Sequence, residues 1–307
     1  MDVPTERGTT TGGVGAVFPV EQVLQHWSPG GVLVEGRINE NAARRLADLL
    51  GVSAPTVGEP LRPMWHEVFL RERLHPVFAG HDGHPRRSAL VPPVRRRQRL
   101  FGGSTLTVLA PLRVGDTVAR TVEILSANLV SGRSGELLVV NEEHVWIRDG
   151  EPCLREVRDI IYREIPTPTP RRERAGTEAE LLPPATTHAA TIVITLSAAD
   201  LVLYSELTGN GHRIHIDREY AQKVEGHDDL VVHGPLSALL AAEAFHRVTG
   251  KAATHLQYRL IAPAYVGRPL EVSTCTTADQ ASRTGTDSAL EVEVRTSDLR
   301  ILRAGMS

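Results

Sequence analysis

The sequence predicts an α+β protein built as two similar halves, each with helix first and antiparallel strands after it. Three observations predict this. A stretch of linker composition divides the chain near its middle. Runs alternating apolar and polar residues, as half-buried antiparallel strands do, follow on both sides of it. Each half also carries an apolar helical segment that can cover one sheet face. The 307 residues leave room for about two domains of ~150 residues.

The N-terminus, MDVPTERGTTTGGVG, has no apolar signal core, and residues 1–30 are expected to form a flexible tail. An N-terminal unit is expected over 31–165. There INENAARRLADLLG (38–51) puts Ala42, Leu46, Leu49 and Leu50 on one helical face, and Gly51 suits the stop. Strands are expected at 105–113, 117–127, 136–148 and 154–164. The run IPTPTPRRERAGTEAELLPPATTHAA is rich in Pro, Thr and charge and places a linker over 166–189. The C-terminal unit, 190–307, opens with a strand, ATIVITLS. Ser197 and Asp200 then fit a helix capping box. LSALLAAEAFHRVTG (236–250) is a strong helix with Gly250 at its end. Strands are expected at 256–262, 270–277, 289–296 and 299–303. One long apolar helix per half, each with a sheet wrapped round it, describes a double hot-dog fold. The periodicity alone supports two similar α+β halves.

Composition excludes several classes. Hydrophobic residues make up 41%, too many for a disordered chain. A net charge of −3 gives no global pull toward nucleic acid or anionic membrane. No apolar run approaches the ~20 residues of a membrane span, so a soluble, cytoplasmic protein is expected. Cys153 and Cys275 lie far apart in strand-like segments and read as buried thiols rather than a disulfide or zinc framework.

The chemistry-bearing stretch is TGNGHRIHID (208–217), followed by VVHGPL (231–236). By itself it can be a polar turn whose side chains cap one another. With YSELTGNGHRIHIDREYA around it, it resembles the signature of the R-specific enoyl-thioester hydratases, the MaoC-like hot-dog family. That signature runs roughly Gly-Asp-x-Asn-Pro-x-His-x-Asp, with a later His-Gly at the start of the central helix. The usual Asp falls here on Asn210, the usual Asn-Pro on His212-Arg213, the catalytic His on His215 and the following Asp on Asp217. These departures are similar to the two-hot-dog branch of mesaconyl-CoA hydratases and type 2 hydroxyacyl-thioester dehydratases. MWHEVFL, GHDGHPRR, VPPVRRRQRLFGG, APLRVGD, SGRSGEL and IIYRE in the N-terminal half resemble that branch in the same order. Gly209 stands where the branch more often has an aromatic residue.

The resemblance implies a hydratase/dehydratase interconverting an enoyl thioester and its 3-hydroxyacyl thioester. The C-terminal half would carry the catalysis and the N-terminal half enclose the substrate. His215 is the expected proton mover, since imidazole titrates near working pH. Asn210 cannot be a base and is expected to hold the water or hydroxyl. Gly234 opens the long helix, where an unpaired N–H and the positive dipole end suit a thioester oxygen gaining charge; an ordinary helix start is the plain alternative. His212, Arg213, Asp217 and His233 are expected to line the substrate, His233 in a structural rather than catalytic capacity. Arg97 and Arg99, in the densest basic run, are expected at a mouth that meets the phosphates of coenzyme A or carrier-protein phosphopantetheine; a solvated charged loop is the alternative. His81, Asp82 and His84 of GHDGHP show no matching distant cluster, and no metal is expected. Nor is a bound cofactor, the thioester's own carrier aside. Partners are an acyl-CoA or acyl-carrier-protein substrate and, through open sheet edges, a second copy of the chain. Two other readings stay open: an isomerase or cyclase of a carrier-bound intermediate, and a non-catalytic acyl-thioester binding module.

Overall fold

The structure, a computed structural model, describes residues 20–71, 79–85, 90–94, 97–132, 135–164, 187–276, 290–297 and 299–307. In the N-terminal half, helix α1 (Val20–His26), strand β1 (Val32–Arg37) and helix α2 (Glu40–Leu50) precede strands β2 (Arg97–Val108), β3 (Thr117–Gly132), β4 (Gly135–Arg148) and β5 (Glu151–Glu164). In the C-terminal half, β6 (Thr187–Ile194) and helices α3 (Ala198–Thr208), α4 (Arg218–Lys223) and α5 (Gly234–Thr249) precede β7 (His255–Leu260), β8 (Leu270–Thr276), β9 (Leu290–Arg295) and β10 (Arg300–Met306).

The strands run in the order β1-β3-β4-β5-β2-β7-β10-β9-β8-β6. The second half repeats the first in mirror order, and the halves join where β2 pairs antiparallel with β7, from Gly103↔Arg259 to Thr107↔His255. The double hot-dog arrangement is therefore present, but its two sheets are fused edge to edge into one.

The symmetry corrects one expectation. α2 follows β1 as α3 follows β6, and both helices have eleven residues. α2 is thus the counterpart of α3, not of the central helix. Its burial says the same: Ala43, Leu46 and Ala47 are buried, while Arg44, Arg45 and Asp48 face outward. That is a surface helix with one apolar stripe. α5, by contrast, is buried at every residue from Leu236 to Phe245, as only a helix enclosed by a sheet can be. Among the described residues the N-terminal half has no such helix. Glu243 within α5 stays satisfied because the N-terminal half reaches it: Trp65 Nε1 donates at 2.8 Å and Arg62 at 2.5 Å.

The inner sheet faces differ accordingly. Under α5 the cross-strand neighbours are Val272, Val294 and Leu302, then Thr274, Val292 and Ala304. In the N-terminal half His144 lies opposite Glu156 and Glu142 opposite Arg158. Glu156 accepts from Ser104 Oγ at 2.7 Å and Arg158 Nε at 2.9 Å, and Arg158 also donates to Glu67. This face is a buried charge network, tolerated only because its members pair.

Other expectations need adjusting. Residues 20–27 of the expected tail are ordered: Val20, Leu24 and Trp27 pack on Leu138, Val140, Ile160 and Tyr162 of β4 and β5. Residues 1–19 lie outside the described residues, as do 165–186, most of the expected linker; β6 already begins at Thr187. Cys153 is a buried free thiol, and the side chain of Cys275 lies outside the described residues. No helix among the described residues is long and apolar enough to cross a membrane.

Candidate active site

α3 begins with the capping box its sequence announces. Ser197 N donates to Asp200 Oδ2 at 2.7 Å, and Asp200 N donates to Ser197 Oγ at 3.3 Å. The helix stops at Gly209, whose φ of 63° is left-handed. The chain then turns: Asn210 Oδ1 accepts from His212 N at 3.1 Å. A short 3-10 turn, Arg213–His215, follows, and Asp217 caps α4 by accepting from Tyr220 N at 3.0 Å. The histidine-bearing loop is thus fixed at both ends.

His215 is buried, and its Nδ1–H donates to Val231 O at 2.7 Å. That bond sets the tautomer and leaves the lone pair on Nε2. Burial, reinforced by the neighbouring His212 and His84, pushes its pKa down to about 3. At neutral pH His215 is an uncharged acceptor. His233 stacks face to face on it, ring centroids 3.7 Å apart. Ser205 Oγ bonds His233 Nε2 at 2.9 Å, and the Tyr204 ring stands edge-on to it at 4.9 Å. Burial and the His215 ring hold His233 well below the usual imidazole range.

Gly234 is the first residue of α5, next to the ring that stacks on His215. A Cβ there would stand 2.2 Å from Leu260 Cδ1, so any larger residue needs the Leu260 side chain to turn aside. Its N–H lies in the first turn, where no intrahelical acceptor exists.

The N-terminal half closes the other side with residues 80–85. Arg213 N donates to Asp82 O at 2.8 Å, and Arg213 Nη1 donates to His81 O at 3.2 Å. Gly83 has φ +91°, and a Cβ there would lie 1.9 Å from Gly211 O. Asp82 binds its own loop, accepting from His84 N at 3.0 Å and contacting His84 Nδ1 at 3.1 Å. Burial lowers His84 to about 4 against the pull of that carboxylate. Burial works to raise Asp82, but the His84 bonds outweigh it and hold the carboxyl at about 2. The His84 ring lies 4.2 Å from that of His212, and His212 lies 5.7 Å from His215. Four imidazoles therefore form a row: His84, His212, His215, His233. His212 Nε2 pairs with Glu225 at 2.9 Å, and Glu225 also accepts from Gln98 of β2.

Of the residues expected in the site, the structure brings Asn210, His212, His215, His233 and Gly234 together. Arg213 and Asp217 pair with each other at 2.6 Å and, with His81, Tyr220, Lys223 and Val224, line a groove. Arg97 and Arg99 are not loop residues at an open mouth. Both sit on β2; Arg97 pairs with Glu136 at 2.7 Å, and Arg99 lies 3.6 Å from Glu142. The pairing of β2 with β5 carries these arginines onto the sheet, where carboxylates meet them. The sequence reading missed Asp82, His84, Ser205 and Glu225. The GHDGHP loop does have a distant partner, His212: one donor atom each of Asp82, His84 and His212 lies within 4.8 Å of the others. These donors are already engaged, His84 by Asp82 and His212 by Glu225, so the arrangement reads as carboxylate–imidazole pairs.

Comparison with known proteins bears on the family and the fold. The profile of hydroxyacyl-thioester dehydratase type 2 matches residues 64–266. The chain is 37% identical over 212 residues to the mesaconyl-C(4)-CoA hydratase of Chloroflexus aurantiacus, spanning 69% of this chain and 74% of that protein. The crystal structure of HtdX of Mycobacterium tuberculosis superposes with a TM-score of 0.61 at 16% identity, covering 90% of this chain and 99% of that one. A further M. tuberculosis protein, described as having a double hotdog fold, gives a TM-score of 0.56 at 14% identity over 92% of this chain and 96% of that one. Fold and family match together define a double hot-dog hydro-lyase. The chain belongs to the family of type 2 hydroxyacyl-thioester dehydratases.

Proposed function

We propose that the protein adds water to an enoyl thioester, and removes it from the 3-hydroxyacyl thioester, through a site in its C-terminal half. One observation carries the assignment: His215 is buried, uncharged and keeps an Nε2 lone pair, its ring stacked on that of His233, the residue before the glycine that opens α5. His215 moves the C2 proton. The Gly234 N–H receives the thioester oxygen as it gains enolate charge, and Asn210 holds the water or the C3 hydroxyl through its amide. Arg213, at the surface groove, meets the phosphate-bearing carrier, coenzyme A or phosphopantetheine. The chemistry asks for no further cofactor. Edge strands β1 and β6, with Leu33 and Val193 exposed on them, suit self-association into a homodimer.

The acyl end is a polar one in this proposal. Tyr204 touches His233, and its hydroxyl and that of Tyr258 are buried without hydrogen-bond partners. Both lie near Glu67, Glu156 and Arg158 of the charged N-terminal face. Buried polar atoms left unpaired cost free energy until something bonds them, and a carboxylate on the acyl group does so where a hydrocarbon chain does not. The test is a panel of straight-chain and methyl-branched dicarboxylic enoyl-CoAs, followed by loss of the conjugated thioester absorbance, beside His215→Ala. Turnover that vanishes in the variant supports the proposal. A folded wild-type protein that hydrates none of them sinks it.

A further inference from the structure

The water that adds to C3 must lose a proton that then reaches solvent, and the other imidazoles of the C-terminal site, His212 and His233, are buried. Asn210 does not titrate, and its Oδ1 already accepts from the His212 amide. His215 serves C2. His212 directs Nε2 to Glu225, and its side chain is only 5% exposed. The N-terminal half supplies the missing group. His84 stands one ring beyond His212, 4.2 Å away, with 16% of its side chain open, so water reaches it. Its Nδ1–H is taken by Asp82, which leaves the lone pair on Nε2. The loop is held to its place, since Arg213 N binds Asp82 O and Gly83 leaves no space against Gly211.

We propose that His84, oriented by Asp82, is the second proton-handling group of the reaction and acts on the water side of the substrate. The proposal rests on the hydration reading above. In dehydration, the His215 Nε2 lone pair takes the C2 proton, and the electron pair of the broken C–H bond moves onto the thioester oxygen. The carbonyl re-forms as that pair makes the C2=C3 bond and the C3–O bond breaks. The departing hydroxide takes a proton from protonated His84 Nε2 and leaves as water. The pair begins the turn with one proton on His84 and ends with it on His215, and exchange with solvent returns it. Hydration runs the same steps backward. No metal, oxidant or reductant enters the balance. Asp82 acts through His84 and is a positioning residue.

The test uses the full chain and an enoyl-CoA that the wild type hydrates. His84→Gln is expected to lower kcat by a factor of roughly 10²–10³ with KM little changed, as for loss of a positioned acid–base group. Asn210→Asp, which restores a carboxyl on the water side, is expected to recover at least tenfold of that loss in the double variant. Asp82→Asn is expected to slow the wild type but to add little to His84→Gln, because the two residues act as one unit. A His84→Gln protein with wild-type kcat overturns the assignment and leaves the hydratase reading intact. A loss in a folded variant that Asn210→Asp does not restore also overturns it, since His84 then only packs the loop. A wild type that hydrates nothing in the panel removes the underlying reading itself.

Discussion

The rings of His215 and His233 lie parallel within 18°, their centroids 3.7 Å apart. Two imidazolium ions do not stack at that separation in a buried place, because like charges at short range in low dielectric repel strongly. The stack therefore limits the pair to one proton, and His215 is among the neighbours that hold His233 neutral. Ser205 fixes the second ring by its bond to Nε2.

From this follows the first prediction. His233→Ala opens space beside His215 and lets water to its ring, so the burial that depresses it shrinks and the His215 pKa rises. The expected change is about one unit, or roughly 1.4 kcal/mol, with kcat reduced about tenfold and KM nearly unchanged. NMR titration of the His215 ring reads the shift directly. An unmoved pKa would show that the stacked ring is not what keeps water from His215.

Gly234 gives the second. Any side chain there would need space that Leu260 Cδ1 fills, 2.2 Å from where a Cβ would stand. Gly234→Ala should destabilise the fold by about 1–3 kcal/mol through overpacking. The N–H survives in alanine, so kcat falls only as far as the clash shifts the helix start, up to roughly 10²-fold for a donor moved out of reach. Trimming the neighbour, Leu260→Ala, should recover part of the activity in the double variant. Wild-type kcat in Gly234→Ala would mean that Leu260 gives way and the helix start keeps its place.

Local features were legible in the sequence because local chemistry decides them. The Ser197 box, the left-handed stop at Gly51 and seven of the eight strands after the first helices depend on residues within a few positions, whereas β2 was placed at 105–113 and its start at Arg97 was not seen. The role of α2 was not legible. An apolar stripe on Ala43, Leu46 and Ala47 packs equally well on a sheet or on a helix, and only the mirrored strand order shows which it does. β1 was missed because VLVEGR is short and its pairing partner β3 lies far along the chain. In the site, the string NGHRIH carried His215 and His212 into view. His84 stayed outside the expected site because its partner is brought to it only by docking of the two halves; GHDGHPRR resembled the family, but its histidines showed no distant partner in the sequence.

The third prediction concerns acid. Burial holds His215 at about 3, and His84 and His144 at about 4, below the ordinary 6.5. Below pH 6.5 the unfolded chain binds protons on these histidines that the folded chain refuses. Their contribution is therefore complete above pH 6.5 and is lost as pH falls from there toward 4 and 3. Asp82, depressed to about 2, adds its own loss only below its ordinary 3.8. Together the histidines should cost the fold several kcal/mol, as an order of magnitude, between pH 6.5 and 4. Urea denaturation at half-unit pH steps measures the slope. His144→Phe should flatten it, and a stability independent of pH in that window contradicts the burial argument.

The fourth prediction separates the docking of the halves from the stability of either. Gly83 sits at φ +91°, and an alanine Cβ would lie 1.9 Å from Gly211 O, a backbone atom that cannot swing aside. Gly83→Ala must therefore move one loop off the other. The strain it meets in place is about 1–3 kcal/mol, and lifting residues 80–85 relieves it while breaking a few contacts, chiefly Arg213 N to Asp82 O. The cores round α2 and α5 lie elsewhere and keep their packing. The expected protein thus unfolds within a few degrees of wild type yet loses kcat about as His84→Gln does, because His84 leaves the row of imidazoles. Hydrogen exchange should show faster opening at 80–85 and 211–215 and unchanged protection in α5. Full activity in a folded Gly83→Ala protein would mean that the close approach of the two loops does not serve the site, and that the catalytic half works without its neighbour's loop.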